Sequence, residues 1–503
     1  MTRTPVGPDR RPPPATGAAR RQVVCRRTCQ PPRLSHIWIV VLDKKWRAAL
    51  TLTIDRFEAF DIRFPTSRAL AGSDAMNPDP DYSAAYVVLH SSRQDLKGHG
   101  FTFTIGKGND LCVAAIRAIA PRLVGRSLAD ICSDMGAFWR SLAGDSQLRW
   151  LGPEKGVVHL ALAAVVNAVW DLWAKQQGKP VWRLIADFTP DELVRLIDFR
   201  HITDALDPSE ARDIVERAQS QRSALSPVLE GEGYPAYTTS AGWLGYPDDQ
   251  IRRLCAEAVT DGWQAIKIKV GRDLPDDLRR CAIVRDAIGE RLLMIDANQV
   301  WEIPEAIDHV LSLADCDPYW IEEPVSPDDI LGHAAVRRGV APIRVATGEH
   351  AHNRVMFKQL LQAEAVDVVQ FDCCRLGGVN EALAVFLLAA KFGKPVCQHA
   401  GGVGLCEVGQ HLAFADALSI SGALDGRMLE HAGHLHEHFC DPIRIERGRY
   451  RMPQAPGFST ELRGDSLRDH LFPDGAAWSH GHSQDEELGL TAELGAHLAA
   501  SGN

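Results

Sequence analysis

Two lysines, Lys267 and Lys269, stand two residues apart in the otherwise apolar stretch AIKIKVG at residues 265–271. Alternate side chains of a β-strand point to the same side, so both ammonium groups would lie on one face. A buried cation is costly unless it has a partner. An ordinary core strand does not explain such a pair, which indicates a polar site on this face.

The strand-like segments that follow also end in ionisable side chains. From Lys269 onward these side chains recur at intervals of 27, 26, 27, 23, 27 and 31 positions, at Asp296, Glu322, Glu349, Asp372, His399 and Glu430. A βα unit of this length returns the chain to the same height on the neighbouring strand, so all of them should meet at the C-terminal mouth of a barrel. A single strand-end carboxylate is usually a helix cap or a solvated loop residue, but seven consecutive strands ending this way favour a shared site.

The types of these residues indicate a particular chemistry. Asp296, Glu322 and Glu349 could not crowd a small mouth without a cation, and an all-oxygen set suits Mg²⁺. Beside that site, positive charge and burial would lower the pKa of the lysine amines toward the operating pH. Across from them, Asp372 would orient His399. A base, an acid and a metal between them would remove a proton next to a carboxylate.

The elements that position these residues alternate between strands and helices from residue 234 onward. Eight strands run from YPAYTTS to RMLEH, with amphipathic helices between them. This arithmetic predicts an α/β fold, a modified TIM barrel of (β/α)7β type, over residues 231–440. An open doubly wound sheet is the alternative, but it would normally carry a glycine-rich phosphate turn after its first strand, and the sequence has none.

The rest of the chain divides by pattern into four further parts. Residues 51–184 read as strands followed by helices, which predicts an α+β capping domain. Residues 185–230 are polar and helical and are interpreted as an insertion, and residues 441–503 as a segment that returns to the cap and ends in a loose tail. Residues 1–50 are predicted to be a disordered or mis-annotated extension, whose Arg- and Pro-rich start could also be an organelle-targeting peptide.

Composition excludes several function classes. A net charge of −10 over 503 residues argues against a general nucleic-acid binder. The twelve cysteines form no CxxC pair, which favours reduced thiols in a cytoplasmic compartment. No apolar stretch is expected to reach the length of a membrane span. We therefore expect a cytoplasmic protein without nucleic-acid or membrane partners, with organelle targeting left open.

The motifs KIKVG, DANQ, WIEEP, TGEH, QFD and QHAGGVGLCE, in this order and spacing, resemble the enolase superfamily in its mandelate racemase branch. The segments GDSQLRWLGPEKGVVHLA and YPAYTTSAGWLGY are similar to those of the acid-sugar dehydratases that act on L-fuconate. The resemblance runs from about residue 52 to residue 477. It implies a hydro-lyase that converts L-fuconate into 2-keto-3-deoxy-L-fuconate with Mg²⁺ as cofactor.

The resemblance also implies a role for each matching residue. The Mg²⁺ ligands would be Asp296, Glu322 and Glu349. Lys269 would remove the proton from C2, giving a Mg²⁺-stabilised enediolate, while Lys267 would face the carboxylate oxygen. His399, supported by Asp372, would protonate the departing 3-hydroxyl. The substrate contacts would be Gly72, Ser73, Asp74, Tyr82, Tyr234, Lys267, Asn298, His399, Ala400, Gly401 and Glu430.

Other features of the sequence are given less weight. Trp301 and Arg375 lie at mouth level, where packing is as good an explanation as substrate contact, and Val300 stands where relatives are expected to have arginine. The histidines of HAGHLHEH at residues 431–438 have metal-like spacing, but a structural role is favoured. The expected partner is a small acid sugar, and homo-oligomer formation stays open.

Hypotheses from other classes remain. A Schiff-base aldolase would use Lys269 but would leave the three carboxylates unexplained. A non-catalytic ligand-binding relative would not need both a base and an acid. Within the superfamily, the alternatives are a dehydratase for another aldonic acid and a racemase for a hydroxy acid.

Overall fold

The computed structural model describes residues 52–479, which belong to one compact unit, Thr51–Asn503. The predictions for residues 1–50 and for the end of the tail fall outside the described residues. Because the described residues form a single unit, the boundaries expected between cap, insertion and barrel stay predictions.

The chain begins with a three-stranded antiparallel sheet followed by helices. The strands are β1 (Ile54–Arg63), β2 (Ser83–Ser91) and β3 (Lys97–Thr104), in that order across the sheet. The helices are α1 (Asn109–Ile119), α2 (Leu128–Ser133), α3 (Met135–Ala143), α4 (Leu148–Leu151) and α5 (Gly156–Gln176). Helix α5 can approach β3 closely because of two glycines. A Cβ on Gly98 or Gly100 would lie 2.3 or 2.2 Å from a backbone oxygen of α5.

Helix α5 corrects one expectation from the sequence. By length and composition alone it could cross a membrane, although no such stretch was expected. In this structure 78% of its most apolar window is buried inside the protein. The helix packs against β3 and carries the buried polar residues Asn167 and Asp171, so its apolar surface is that of a core helix.

Three helices lie between α5 and the barrel: α6 (Val181–Ala186), α7 (Pro190–Arg195) and α8 (Pro208–Glu232). Two of them begin with a capping box, in which the first side chain and a glutamate three residues later bond to each other's backbone N–H. The pairs are Thr189 with Glu192 and Asp207 with Glu210. Helix α8 packs along the last barrel helix.

The following strands form a closed parallel ring. They are β4 (Tyr234–Thr238), β5 (Ala265–Lys269), β6 (Leu292–Asp296), β7 (Pro318–Glu322), β8 (Arg344–Thr347), β9 (Val368–Val369) and β10 (Leu429–His431). Neighbours from β4 to β9 pair in sequence order, Val396 bridges to Val369 in the position of a further strand, and β10 pairs with β4. The ring therefore has eight strand positions. Its last two are joined by hydrogen bonds from Met428 N to Cys397 Sγ at 3.3 Å and from Ala400 N to Glu430 Oε2 at 2.9 Å, and this closure excludes the open doubly wound sheet.

Seven helices connect these strand positions: α9 (Asp248–Thr260), α10 (Leu274–Ile288), α11 (Ile303–Ser312), α12 (Ile330–Gly339), α13 (Arg354–Gln362), α14 (Val379–Lys391) and α15 (Leu405–Ser419). The predicted (β/α)7β barrel with an α+β cap is confirmed. After β10 the chain forms the hairpin β11 (Ile445–Glu446) and β12 (Arg449–Tyr450) and the helix α16 (Gly464–Asp469).

The barrel strands alternate between two environments. Outward side chains such as Ile266, Ile268 and Ile295 join the core shared with the helices. Inward side chains such as Met294 and Trp320 form a separate apolar cluster that fills the barrel. Alternate residues of a strand share a face. The residues two positions after Met294 and Trp320 therefore also point inward, and they are the ionisable groups Asp296 and Glu322 at the mouth, directly above this apolar cluster.

The last described segment joins the barrel to the cap. Tyr450 of β12 pairs with Tyr234 at the start of β4. Tyr86 Oη of the cap sheet donates to Thr460 O at 3.1 Å and accepts from Leu462 N at 3.1 Å. The ten described cysteines are all free thiols.

Candidate active site

Lys267 is enclosed by carboxylates at the mouth of the barrel. Its Nζ lies 2.5 Å from Glu322 Oε1, 2.8 Å from Glu430 Oε1 and 3.3 Å from Asp296 Oδ2. All four side chains are buried, so this cation is stabilised by the three anions around it. Burial alone would lower the pKa of Lys267, but Glu322 and Glu430 raise it well above its ordinary value.

Lys269 stands one layer closer to the solvent. Its Nζ lies 2.6 Å from Asp296 Oδ2 and 5.7 Å from the centre of the Trp243 ring. The sequence predicted a lowered pKa for this amine. Although burial acts in that direction, Asp296 outweighs it and raises the pKa of Lys269. The predicted lowering depends on the positive charge of a cation held by the neighbouring carboxylates, so it stays a prediction.

Three buried carboxylates form a group that could hold a metal ion. Asp296, Glu322 and Glu349 each offer an oxygen, and these oxygens lie within 4.8 Å of one another. Burial raises the pKa of Glu322 to about 8 and also raises that of Glu349, with the neighbouring carboxylates adding to both effects. An all-oxygen set whose members repel each other fits a hard divalent cation such as Mg²⁺.

A second group, Glu323, Glu349 and His350, meets the same distance criterion. Its Glu323 already accepts hydrogen bonds of 2.9 Å from Gln299 and from His350. Both groups accept hydrogen bonds from protein donors, but the second group would use a histidine nitrogen, whereas the first group offers only oxygens, which Mg²⁺ prefers. We assign the candidate metal site to the first group.

His399 lies across the mouth from the lysines. Its Nδ1 is 3.2 Å from Asp372 Oδ2, and its Nε2 is 3.8 Å from Glu349 Oε2. Burial alone would lower the pKa of His399, but the charge of Glu349 and the hydrogen bond that His399 donates to Asp372 raise it to about 10. The other oxygen of Asp372 accepts the backbone N–H of Cys374 at 2.7 Å. Asp372 thus holds the imidazole in one orientation.

A cavity of about 220 Å³ connects these groups with the cap. The barrel contributes both reactive side chains, Lys269 and His399. Other predicted site residues line the same cavity: Gly72, Asp74, Tyr82, Asn298, Glu349, Asp372, Gly401 and Glu430. Gly72 has a φ of 87°, and a Cβ there would lie 2.4 Å from Tyr82 Oη, so the cap loop requires glycine at this position.

Several predicted contacts lie beside the cavity instead of in its wall. Lys267 is buried under the floor. Ser73 Oγ donates to Pro78 O at 3.0 Å, and the backbone N–H of Ala400 donates to Glu430 Oε2 at 2.9 Å. Ser73 therefore shapes the cap loop, while Ala400 orients the carboxylate that faces Lys267.

Tyr234 requires a correction. It is the first residue of β4, whereas the mouth lies at the C-terminal ends of the strands. Its buried ring contacts Phe414 at a centroid distance of 5.8 Å, and its backbone pairs with Tyr450. The structure does not bring Tyr234 to the cavity, because the five residues of the strand separate the two ends of the barrel.

Some residues of the cavity wall were not predicted. Trp243, His350 and Lys107 line the cavity from loops that follow β4, β8 and β3. No spacing signal identifies them, because loops lack a period. Of the two residues left open, Arg375 lines the cavity, whereas Trp301 is buried with its ring against His309.

The histidines of residues 431–438 contact neighbouring rings and side chains of the protein. His431 stacks on His436 with ring centroids 5.4 Å apart, and His436 Nδ1 bonds to Glu407 Oε1 at 2.7 Å. His434 stacks on Tyr82 at 5.4 Å. Within residues 52–479, no group of metal-ligating side chains includes any of them.

Comparison with known proteins adds to this geometry. The family model "Enolase C-terminal domain-like" matches residues 250–466, and "Mandelate racemase / muconate lactonizing enzyme, N-terminal domain" matches residues 79–186. L-galactonate dehydratase of Hypocrea jecorina is 51% identical over 435 residues, which cover 85% of this chain and 96% of that protein.

Two solved structures are also similar. Human mitochondrial enolase superfamily member 1 has a TM-score of 0.84 and 54% identity, covering 85% of this chain and 98% of that chain. L-talarate/galactarate dehydratase from Salmonella typhimurium LT2, liganded with Mg and L-lyxarohydroxamate, has a TM-score of 0.64 and 25% identity, covering 85% of this chain and 95% of that chain.

Proposed function

Since the chain belongs to the enolase superfamily, we propose that it is a Mg²⁺-dependent dehydratase of acid sugars. The substrate we favour is L-fuconate, which would lose water to give 2-keto-3-deoxy-L-fuconate. The observation that carries the proposal is the shared cavity. Lys269 and His399 both line it, next to Glu349 of the carboxylate group.

Lys269 is the base in this proposal. It stands at the end of β5, lines the cavity and contacts Asp296, so its amine can reach a proton on the carbon next to a bound carboxylate. Lys267 lies below it. Its fixed positive charge can stabilise the substrate carboxylate electrostatically as negative charge develops on the carboxylate oxygens. Asp296, Glu322 and Glu349 would hold Mg²⁺, which when bound supplies positive charge for the substrate carboxylate.

His399 is the acid. Loss of the 3-hydroxyl requires a proton on the departing oxygen, and a buried imidazolium oriented by Asp372 provides one. The enol that remains after water leaves becomes the 2-keto-3-deoxy acid by tautomerisation. A racemase would use the same two groups to remove and return the proton at C2, so formation of a 2-keto acid is the result that distinguishes a dehydratase.

L-galactonate is the second candidate substrate. It differs from L-fuconate only by a hydroxyl at C6, and a relative named L-galactonate dehydratase is 51% identical to this chain. Incubation of the protein and Mg²⁺ with a panel of aldonic and aldaric acids, scored by 2-keto acid formation, tests the proposal. We expect L-fuconate and L-galactonate at the top. No 2-keto acid from any member would contradict the proposed function.

Two other classes predict different results in this assay. A Schiff-base aldolase would be trapped by borohydride in the presence of substrate, and its activity would be insensitive to a chelator. A non-catalytic relative would bind acids without converting them. For location we propose the cytoplasm. The name of the human relative supports the mitochondrion as the alternative, and fractionation of the source cells decides between them.

A further inference from the structure

Arg375 is an exception among the arginines inside the protein. The buried Arg354 contacts Glu154, Asp198 and Glu381, and Arg427 contacts Asp416. The side chain of Arg375 makes no hydrogen bond or ion pair with any residue of the described range 52–479, and its Nε is buried without an acceptor. A guanidinium that lines a cavity with unused donors has the capacity to bind a ligand oxygen.

The backbone that carries Arg375 is held firmly by the cap. Thr102 Oγ1 donates to Cys374 O at 2.8 Å, and Trp139 Nε1 donates to Gly377 O at 2.6 Å. From the barrel, Glu381 Oε2 accepts the N–H of Gly377 at 2.9 Å. The turn is therefore anchored on both sides of Arg375, so its side chain starts from a fixed point and is not part of a free surface loop.

Arg375 lies on the turn after Asp372 and, within the described residues, makes no ion pair with the metal-ligand candidates Asp296, Glu322 and Glu349. Its charge interacts with Cys112 of the cap helix α1 and with His350. The metal-ligand candidates Asp296 and Glu322 interact instead with Lys267 and Lys269. The cap contributes Lys107 and the apolar Ile105 and Leu160 to the same cavity.

If C1 to C3 of an acid sugar occupy the space between Lys269 and His399, the remaining carbons must extend toward the cap. The carboxylate that the cap loop contributes there, Asp74, already accepts hydrogen bonds from Met76 and Asn77. Arg375 therefore lacks a protein acceptor on that side. Hydroxyl oxygens on C4 and C5 are acceptors of the right kind, and a charged donor fixes them more strongly than a neutral one.

Resting on the proposed function, we infer that Arg375 is a specificity-determining residue that binds the hydroxylated tail of the substrate. The site then prefers six-carbon polyhydroxy acids to acids that end at C4. Because the interaction is made at a distance from C2 and C3, it should act on substrate binding and leave the proton-transfer groups unchanged.

The test crosses a side-chain truncation with a substrate truncation. Arg375→Met and Arg375→Lys are assayed on L-fuconate and on D-threonate, the four-carbon acid with the same configuration at C2 and C3. If the enzyme does not turn D-threonate over, its inhibition constant against L-fuconate is measured in its place. Lys155→Met, an exposed lysine outside this cavity, is the matched control for the loss of one positive charge.

For Arg375→Met we expect kcat/KM on L-fuconate to fall by about 10- to 100-fold, mainly through KM. The value for D-threonate should change less than about threefold, and Arg375→Lys should recover part of the loss. Equal losses on both acids, or no loss on either, would overturn the inference while the proposed function stands. If the unmodified protein dehydrates no acid sugar, the proposed function itself fails and the assignment of Arg375 fails with it.

Discussion

Arg280 Nη1 donates a hydrogen bond of 2.6 Å to the carbonyl oxygen of Lys269. Its Nη2 donates to the carbonyl oxygens of Gly242 at 2.9 Å and of Trp243 at 3.1 Å. A fully buried guanidinium thus ties the end of β5 to the loop whose indole faces the Lys269 amine. Arg280 is a positioning residue for the proposed base.

We expect Arg280→Met to lower kcat by about 10- to 100-fold, because a displacement of about 1 Å at a reacting group is enough for such a loss. The matched control is Arg285→Met. Arg285 lies on the same helix and also donates to backbone carbonyls, those of Cys316, Gly289, Arg291 and Asp317, at the opposite end of the barrel. Kinetics and thermal unfolding of both variants are compared, and an equal loss of kcat in the control would show that Arg280 contributes only stability.

Magnesium should stabilise the folded protein through Asp296, Glu322 and Glu349. A ligand that binds only the folded state raises stability by about 2.7 kcal/mol at a hundred times its dissociation constant. We expect added Mg²⁺ to raise the melting temperature of the unmodified protein and to have little effect on Glu322→Gln.

Glu323→Gln is the control for the metal site, since it is the neighbouring buried glutamate and belongs to the rejected group. It should keep the Mg²⁺-induced rise. If Glu323→Gln loses the rise and Glu322→Gln keeps it, the metal site has been assigned to the wrong group.

An isotope-exchange experiment should distinguish the role of the base, Lys269, from that of the acid, His399. In His399→Asn the 3-hydroxyl cannot leave with a proton, and we expect product formation to fall by about 10²- to 10⁴-fold. Lys269 is intact in this variant, so the C2 hydrogen of L-fuconate should still exchange with D₂O, as followed by proton NMR.

Lys269→Met should abolish both product formation and exchange. Exchange that persists in Lys269→Met would remove the lysine from the role of base. Loss of exchange in His399→Asn would mean that the histidine takes part in proton removal as well.

His411 should make the protein less stable in acid. Burial lowers its pKa to about 3 from an ordinary value of 6.5. The neutral ring accepts the N–H of Trp182 at 3.4 Å and contacts Ser459 Oγ at 3.0 Å, and Asp441 reaches it only through this serine. Below pH 6.5 this histidine is protonated in the unfolded chain but stays neutral in the folded protein. The contribution of the buried neutral ring to the free energy of unfolding is therefore lost as the pH falls from 6.5 toward 3.

The corresponding measurement is urea unfolding at pH 7.5 and at pH 5.5. We expect His411→Gln to be less stable than the unmodified protein at pH 7.5. Between pH 7.5 and pH 5.5 the unmodified protein should lose more stability than the variant. The difference should be about tenfold in the folding equilibrium constant for each pH unit below 6.5. The exposed His201→Gln serves as the control and should behave like the unmodified protein. An unchanged pH dependence in His411→Gln would show that the buried ring is protonated in the folded state.

The sequence was informative where the two-residue alternation of a β-strand determines the face to which a side chain points. Asp296 and Glu322 follow Met294 and Trp320 by two residues, so once the strands are recognised the alternation directs these carboxylates into the mouth. The barrel, its cap and the cluster at the strand ends were therefore predictable from local pattern.

Long-range placement was not predictable in this way. Tyr234 and Thr238 belong to one short strand, but only the end of that strand faces the mouth, and composition does not say which end an aromatic residue occupies. His350 and Lys107 meet in the cavity because the cap folds over the barrel, a relation between residues more than 200 positions apart. The pKa of Lys269 depends on Asp296 at 2.6 Å, a distance that spacing alone cannot supply.

The bonds from Thr102 and Trp139 to the turn after Asp372 limit how freely this architecture can be recombined. Exchanging the cap for that of a relative, to obtain a different sugar preference, would also replace the anchors of the carboxylate that aligns His399. In such a chimera we expect His399 to be displaced along with the change of binding surface. Retaining Thr102 and Trp139 in the exchanged cap should prevent this displacement.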